Sequence, residues 1–123
     1  MSLLTVLRPA NRQDCRFIHN AHRHAVQYTC IRSYDERVLQ AWEELLGMES
    51  YIEAMEDKKK ALWVVEYKGV VQGFFQVDFK EAQLDALYVH PFVHNQGLGT
   101  ALLSRAEELA ARAGLSFMKL YAS

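Results

Sequence analysis

The chain has 123 residues, half of them apolar, with 14 Lys and Arg against 15 Asp and Glu and a formal charge of −1. That length fits one domain over residues 1–123, and the near-neutral balance excludes a bulk electrostatic drive toward nucleic acid or an anionic membrane. Cys15 and Cys30 fit neither a disulfide framework nor a zinc knuckle, and no stretch reads as a signal peptide or a membrane span, so a cytoplasmic protein is expected.

Residues 4–8, LTVLR, alternate and are β-branched enough for a first strand, which Pro9 ends. Asn11 caps a following helix, with Asp14 completing an approximate capping box; Ile18, Ala21, Ala25 and Tyr28 follow at helical spacing. A second helix restarts at Ser33, buries Val38, Trp42, Leu45 and Leu46, and stops at Gly47. MESYIEAMEDKKK adds a short amphipathic helix whose lysines suit a C-terminal end; Lys58, Lys59 and Lys60 also read as a solvated turn.

The period then changes. Residues 61–79 read as two strands around a Lys68-Gly69 turn, hence a hairpin. Residues 83–90, QLDALYVH, make another strand, with Leu84, Ala86 and Tyr88 expected on one face and Gln83, Asp85, Leu87 and Val89 on the other. From Leu98 a helix sets Leu102, Ala106, Leu109 and Ala113 along one side and ends at Gly114, and LSFMKLYAS is a final strand. The order gives an α/β (α+β) fold, a mixed sheet with helices packed on its faces.

The chemistry concentrates between the strand ending at Val89 and the helix beginning at Leu98. A helix N-terminus exposes unpaired N–H groups and the positive end of its dipole, a natural seat for phosphate. Gly97 and Gly99 remove side chains that would block close approach, and Thr100 adds a hydroxyl donor. A Gly-x-Gly turn alone reads equally as a tight strand-to-helix connection. His19, His22 and His24 have no nearby Cys or carboxylate to complete a metal set, so no metal is expected and a polar helix face accounts for them.

LYVHPFVHNQGLGTALL, residues 87–103, resembles the acyl-CoA-binding segment of the GCN5-related N-acetyltransferase (GNAT) superfamily: Val-x-Pro, two residues, then Gln/Arg-x-x-Gly-x-Gly/Ala. VLRPANRQD resembles that family's opening strand and helix cap, and WVVEYKGVVQGFFQV its central hairpin. The resemblance implies an acyl-CoA N-acyltransferase-like, mostly antiparallel sheet flanked by helices, here truncated after the fifth strand. It implies an acetyl-CoA-dependent N-acetyltransferase acting by direct transfer on a primary amine of a small molecule or protein.

Carried over by position, the backbone amides of His94, Asn95, Gln96, Gly97, Leu98, Gly99 and Thr100 would hold the pyrophosphate of coenzyme A. The main chain of Leu87, Tyr88 and Val89 would pair with the pantetheine arm as an added strand, and an N–H on this strand would polarise the thioester carbonyl. His94 departs from the family's Gln or Arg: it reads either as a source of weaker, pH-sensitive binding or as a solvated bystander.

The family's general base, when on this strand, falls at Gln83 or Asp85. Only Asp85 can take a proton, and it reads either as that base, through water, or as a polar residue on a wet strand face. Tyr28 and Tyr34 fall in the segment that lines the acceptor pocket in relatives. Tyr88 and Tyr121 read as core or cofactor-contacting residues, and no tyrosine is assigned as the thiolate acid. The family's later helix and two strands have no counterpart before Ser123, which implies an exposed last strand and a homodimer through its edge. The alternative is a truncated, catalytically weak or inactive module that binds acyl-CoA or self-associates.

Overall fold

The computed structural model describes residues 4–21, 48–90, 93, 97–116 and 118–120. Strand β1 (Thr5–Pro9) stops at its proline, and a helical turn at Arg12–Asp14 runs on as helix α1 to residue 21. The expected capping box is present: the Asn11 side chain accepts from the Gln13 amide at 2.9 Å, and the Asp14 carboxylate accepts from the Asn11 amide at 2.8 Å. Asp14 is also pinned from the strand. Arg8 donates to both its oxygens, at 2.7 and 2.9 Å, and to Glu66 of strand β2 (Lys60–Tyr67) at 2.6 Å. One guanidinium thus ties the start of α1 to two strands.

Burial disfavours the charge on Asp14, but the hydrogen bonds from Arg8 and Asn11 outweigh it and hold the carboxyl below the usual carboxylate range. The folded-state pKa is the lower one, so the stabilisation is fully present above the unfolded value near 4 and is lost as pH falls through the folded value. In denaturant titrations, Asp14→Asn is expected to be less stable than the wild type at about pH 7 and to lose less stability below about pH 4. Two curves that stay parallel through the acid range would contradict this.

Ala25, Tyr28 and the helix expected from Ser33 to Gly47 lie outside the described residues. Helix α2 (Met48–Glu56) buries Tyr51 and Ala54. Its last turn carries no basic residue, contrary to the expectation for the lysine run. Asp57 turns the chain instead, its side chain accepting from the Lys59 amide at 2.8 Å, and Lys60 already belongs to β2.

β2 and strand β3 (Val70–Asp78) form the expected hairpin, with Lys68 and Gly69 at φ 55° and 81°, the paired positive values that match strand twist in a two-residue turn. Strand β4 (Gln83–Val89) pairs antiparallel with β3; helix α3 (Leu98–Arg112) crosses over, and β5 (Lys119–Leu120) returns parallel to β4. The five strands lie in sequence order, a mixed and mostly antiparallel sheet. Residues 117 and 121–123 of the expected last strand, whose edge was expected to pair between copies, lie outside the described set. No described helix is long and apolar enough to cross a membrane.

Each face of the sheet has its own core. Ile18, Tyr51, Ala54, Leu62, Val64 and Phe74 pack between the sheet and α1 and α2. Val65, Phe75, Val77 and Leu84 meet Leu98, Leu102 and Ala106 of α3 on the other face. The buried stripe of α3 ends on Ala110; Ala113, expected there, is exposed at the helix end. Gly114, at φ 84°, closes that helix: its amide bonds the Ala111 carbonyl and the Leu115 amide bonds that of Ala110.

The alternation expected along β4 fails at one point. Leu84 packs with Leu87 and Val89 on the α3 side, while Ala86 and Tyr88 face α1 and α2. Val77 pairs with Leu84 and the preceding Gln76 with Ala86, so Asp85 is an extra residue with no opposite number. A bulge of one residue inverts the pleat beyond it.

Candidate active site

Gly97 caps α3 at φ 75°, ψ 11°, and makes no side-chain cap bond. A Cβ there would meet nothing within 4 Å, so backbone conformation, not space, calls for glycine. The first intrahelical bond of the turn runs from the Ala101 amide to the Gly97 carbonyl at 3.0 Å. The amides of Leu98, Gly99 and Thr100 precede it and have no acceptor within the helix.

These residues form one wall of a cleft of about 600 Å³. Leu87 and Val89 of β4 form the other, and Val93 closes a third side. Among the described residues, none of the lining side chains is charged, so these residues offer an anion main-chain amides and the helix dipole. Gly99 opens onto this space; a Cβ on it would touch only Val89 Cγ2, at an ordinary 3.8 Å. The structure thus brings together Leu87, Val89, Gly97, Leu98, Gly99 and Thr100 of the residues picked from sequence. His94, Asn95 and Gln96 lie outside the described residues, as do Tyr28 and Tyr34. Val93 was missed; the apolar pair after Pro91 was its signal in the sequence.

The edge of β4 has a definite sidedness. The His90 amide donates to the Gln72 carbonyl of β3 at 2.7 Å. Main-chain groups alternate in an antiparallel ladder, so Tyr88 also presents its amide and carbonyl to β3, while Leu87 and Val89 present theirs toward β5. Among the described residues, β5 pairs with Gln83 and Leu84, and Leu87 and Val89 further along that strand line the cleft.

The Tyr88 side chain points the other way. Its ring lies 6.2 Å from that of Phe74 in the opposite core, and its buried hydroxyl has no hydrogen-bond partner among the described residues. Burial raises its pKa. The bulge places Asp85 between two amides: Gln83 Nε2 donates to Oδ1 at 2.6 Å and Gln76 Nε2 to Oδ2 at 3.2 Å. Cys15 sits buried in the α1 core, away from the cleft, and Cys30 lies outside the described residues. Among the described residues, no three His, Cys, Asp or Glu side chains come together as a metal site.

The comparisons with known proteins converge on one family. Residues 18–123 match the model of the Acetyltransferase (GNAT) family. The chain is 30% identical to the L-methionine sulfoximine/L-methionine sulfone acetyltransferase of Salmonella typhimurium, over 91% of this chain and 67% of that protein. In structure it is similar to the PaiA N-acetyltransferase of Thermoplasma acidophilum in complex with coenzyme A: TM-score 0.86, 19% identity, 99% of this chain and 80% of that one. It is also similar to YncA from Salmonella typhimurium, solved with its cofactor acetyl-CoA: TM-score 0.59, 28% identity, 91% of this chain and 66% of that one. With a family match across most of its length, a relative 30% identical, and a sheet and strand-turn-helix cleft in keeping with both, this chain belongs to the GNAT family of acetyltransferases.

Proposed function

We propose that this protein is an acetyl-CoA-dependent N-acetyltransferase that transfers an acetyl group directly to the primary amine of a small molecule. The observation that carries the reading is the cleft between β4 and the start of α3: its described lining is uncharged and its first-turn amides have no acceptor within the helix, which fits a diphosphate with an amide-bearing arm. When bound, acetyl-CoA supplies the acyl group already activated as a thioester. The amides of Leu98, Gly99 and Thr100 hold the diphosphate, with Gly97 setting the turn that aims them. Leu87 and Val89 hold the arm through their main chains and exclude water with their side chains.

Asp85 takes the proton that the amine must lose, directly or through one water. Its two amide neighbours fix the carboxylate at the bulge, on the β4 strand that also forms the cleft wall. A small-molecule acceptor is supported by the 30%-identical relative, whose named substrates are modified amino acids.

Calorimetric titration with acetyl-CoA, followed by a free-thiol assay against small amines and lysine peptides, tests the reading. Binding with thiol release on small amines is the expected result. Binding without thiol release on any amine contradicts the transfer step, and absence of binding contradicts the cofactor assignment.

A further inference from the structure

We infer that Gly73, buried on β3 opposite Val89, positions the two walls of the cleft from behind, and that its missing side chain is what lets β4 and α3 stand at a spacing that grips the cofactor arm. The inference rests on the acetyl-CoA reading of that cleft. A Cβ on Gly73 would lie 2.5 Å from the Tyr88 carbonyl oxygen, 3.2 Å from Val65 Cγ1 and 3.3 Å from Leu102 Cδ1. Those neighbours belong to β4, β2 and α3. The position is therefore the point where the element carrying Leu87 and Val89 meets the helix carrying Gly97–Thr100.

The three contacts differ in how they yield. Val65 and Leu102 are side chains that relax by a few tenths of an ångström within a close-packed core. The Tyr88 oxygen is main chain and retreats only if the strand does. To regain the 3.0 Å that Cβ atoms keep, it must move by about 0.5 Å from its 2.5 Å position, and Leu87 and Val89 on either side of it move too. Leu102, fully buried one turn beyond Leu98, gives at its side chain, so α3 keeps its place while the strand retreats from it, and the spacing of the two cleft walls changes.

Local geometry explains why the approach is so close. Gln72 is a second bulge: Val65 pairs with Gly73 and the next residue, Glu66, with Val71. Gln72 nevertheless accepts from the His90 amide at 2.7 Å, which draws the end of β4 against β3 beside Gly73. Unlike Gly97, Gly73 does not adopt a positive φ, so space is its reason for being glycine.

The test compares Gly73→Ala with Ile18→Val, a mild truncation in the core on the opposite face. Gly73→Ala is expected to weaken coenzyme A binding by about tenfold or more, as misplacement of a binding group by a fraction of an ångström does. Ile18→Val, which also loses stability, is expected to stay within about twofold of the wild type. In the free protein, amide exchange at Tyr88 and His90 is expected to quicken in Gly73→Ala and not in Ile18→Val.

Wild-type affinity in a folded Gly73→Ala protein, or unchanged exchange at those two amides, overturns the inference. Should that variant fail to fold, Gly73→Ala with Val65→Ala removes a side-chain overlap but keeps the carbonyl contact; it is expected to show the same weakening, and wild-type affinity there overturns the inference equally. A wild-type protein that does not bind coenzyme A fails the acetyl-CoA reading instead, and the exchange comparison then decides the spacing role by itself.

Discussion

Gly99→Glu is expected to weaken coenzyme A binding at least about 100-fold while the protein stays folded. The fold tolerates the change because the new Cβ meets only Val89 Cγ2, at 3.8 Å, and a carboxylate in the first turn of α3 suits the helix dipole. Binding does not tolerate it. The side chain enters the cleft at the place assigned to the diphosphate, and two like charges about 4 Å apart repel by about 4 kcal/mol at an effective dielectric near 20. Gly99→Ala separates charge and bulk from mere loss of glycine: its Cβ makes an ordinary contact, so its affinity is expected within about threefold of the wild type. Calorimetry on the three proteins, with denaturation midpoints as the check on folding, decides it. Undiminished affinity in Gly99→Glu would remove the diphosphate from this turn.

Asp85→Asn is expected to lower kcat about 100-fold and leave coenzyme A affinity unchanged. The substitution keeps the size of the side chain but removes the proton acceptor. Asp85 is half-buried and does not line the cleft, so the cofactor is not expected to sense the change. One cost is structural: both carboxylate oxygens accept from glutamine amides, and the new amide nitrogen faces one of those donors. A stopped-flow or steady-state assay with a small amine acceptor reads the effect. A kcat equal to the wild type's would leave Asp85 with only its role in the bulge.

The parts of this structure readable from sequence are those dictated by neighbours along the chain. The capping box depends on Asn11 and Asp14, three residues apart; the hairpin turn depends on adjacent Lys68 and Gly69; the start of α3 depends on Gly97, whose αL conformation costs other residues more. What escaped depends on partners far away in sequence. The bulge at Asp85 arises because β3 pairs with Leu84 and Ala86 and skips the residue between them, and nothing in QLDALYVH announces that. It separated Leu84 from Ala86 and Tyr88, expected together on one face, and put it with Leu87 and Val89. It also put the Tyr88 phenol into the α1 and α2 core, not the cleft.

Gly73 escaped for the same reason. Its necessity lies in the Tyr88 carbonyl, fifteen positions later in sequence, and a glycine within a strand says only that something comes close. The cleft was readable in outline because family resemblance and helix-end physics pointed to the same seven-residue turn, whereas the acceptor side rests on Tyr28 and Tyr34, outside the described residues.

A crystal structure grown with excess coenzyme A tests the roles proposed for the start of α3 and the edge of β4. Phosphate oxygens are expected within hydrogen-bonding distance of the Leu98, Gly99 and Thr100 amides, with the arm along Leu87 and Val89. Density for the ligand elsewhere, such as the cavity of about 220 Å³ lined by Phe17, Val70, Phe74 and His90 on the other face of the sheet, with the cleft left empty, would contradict those roles.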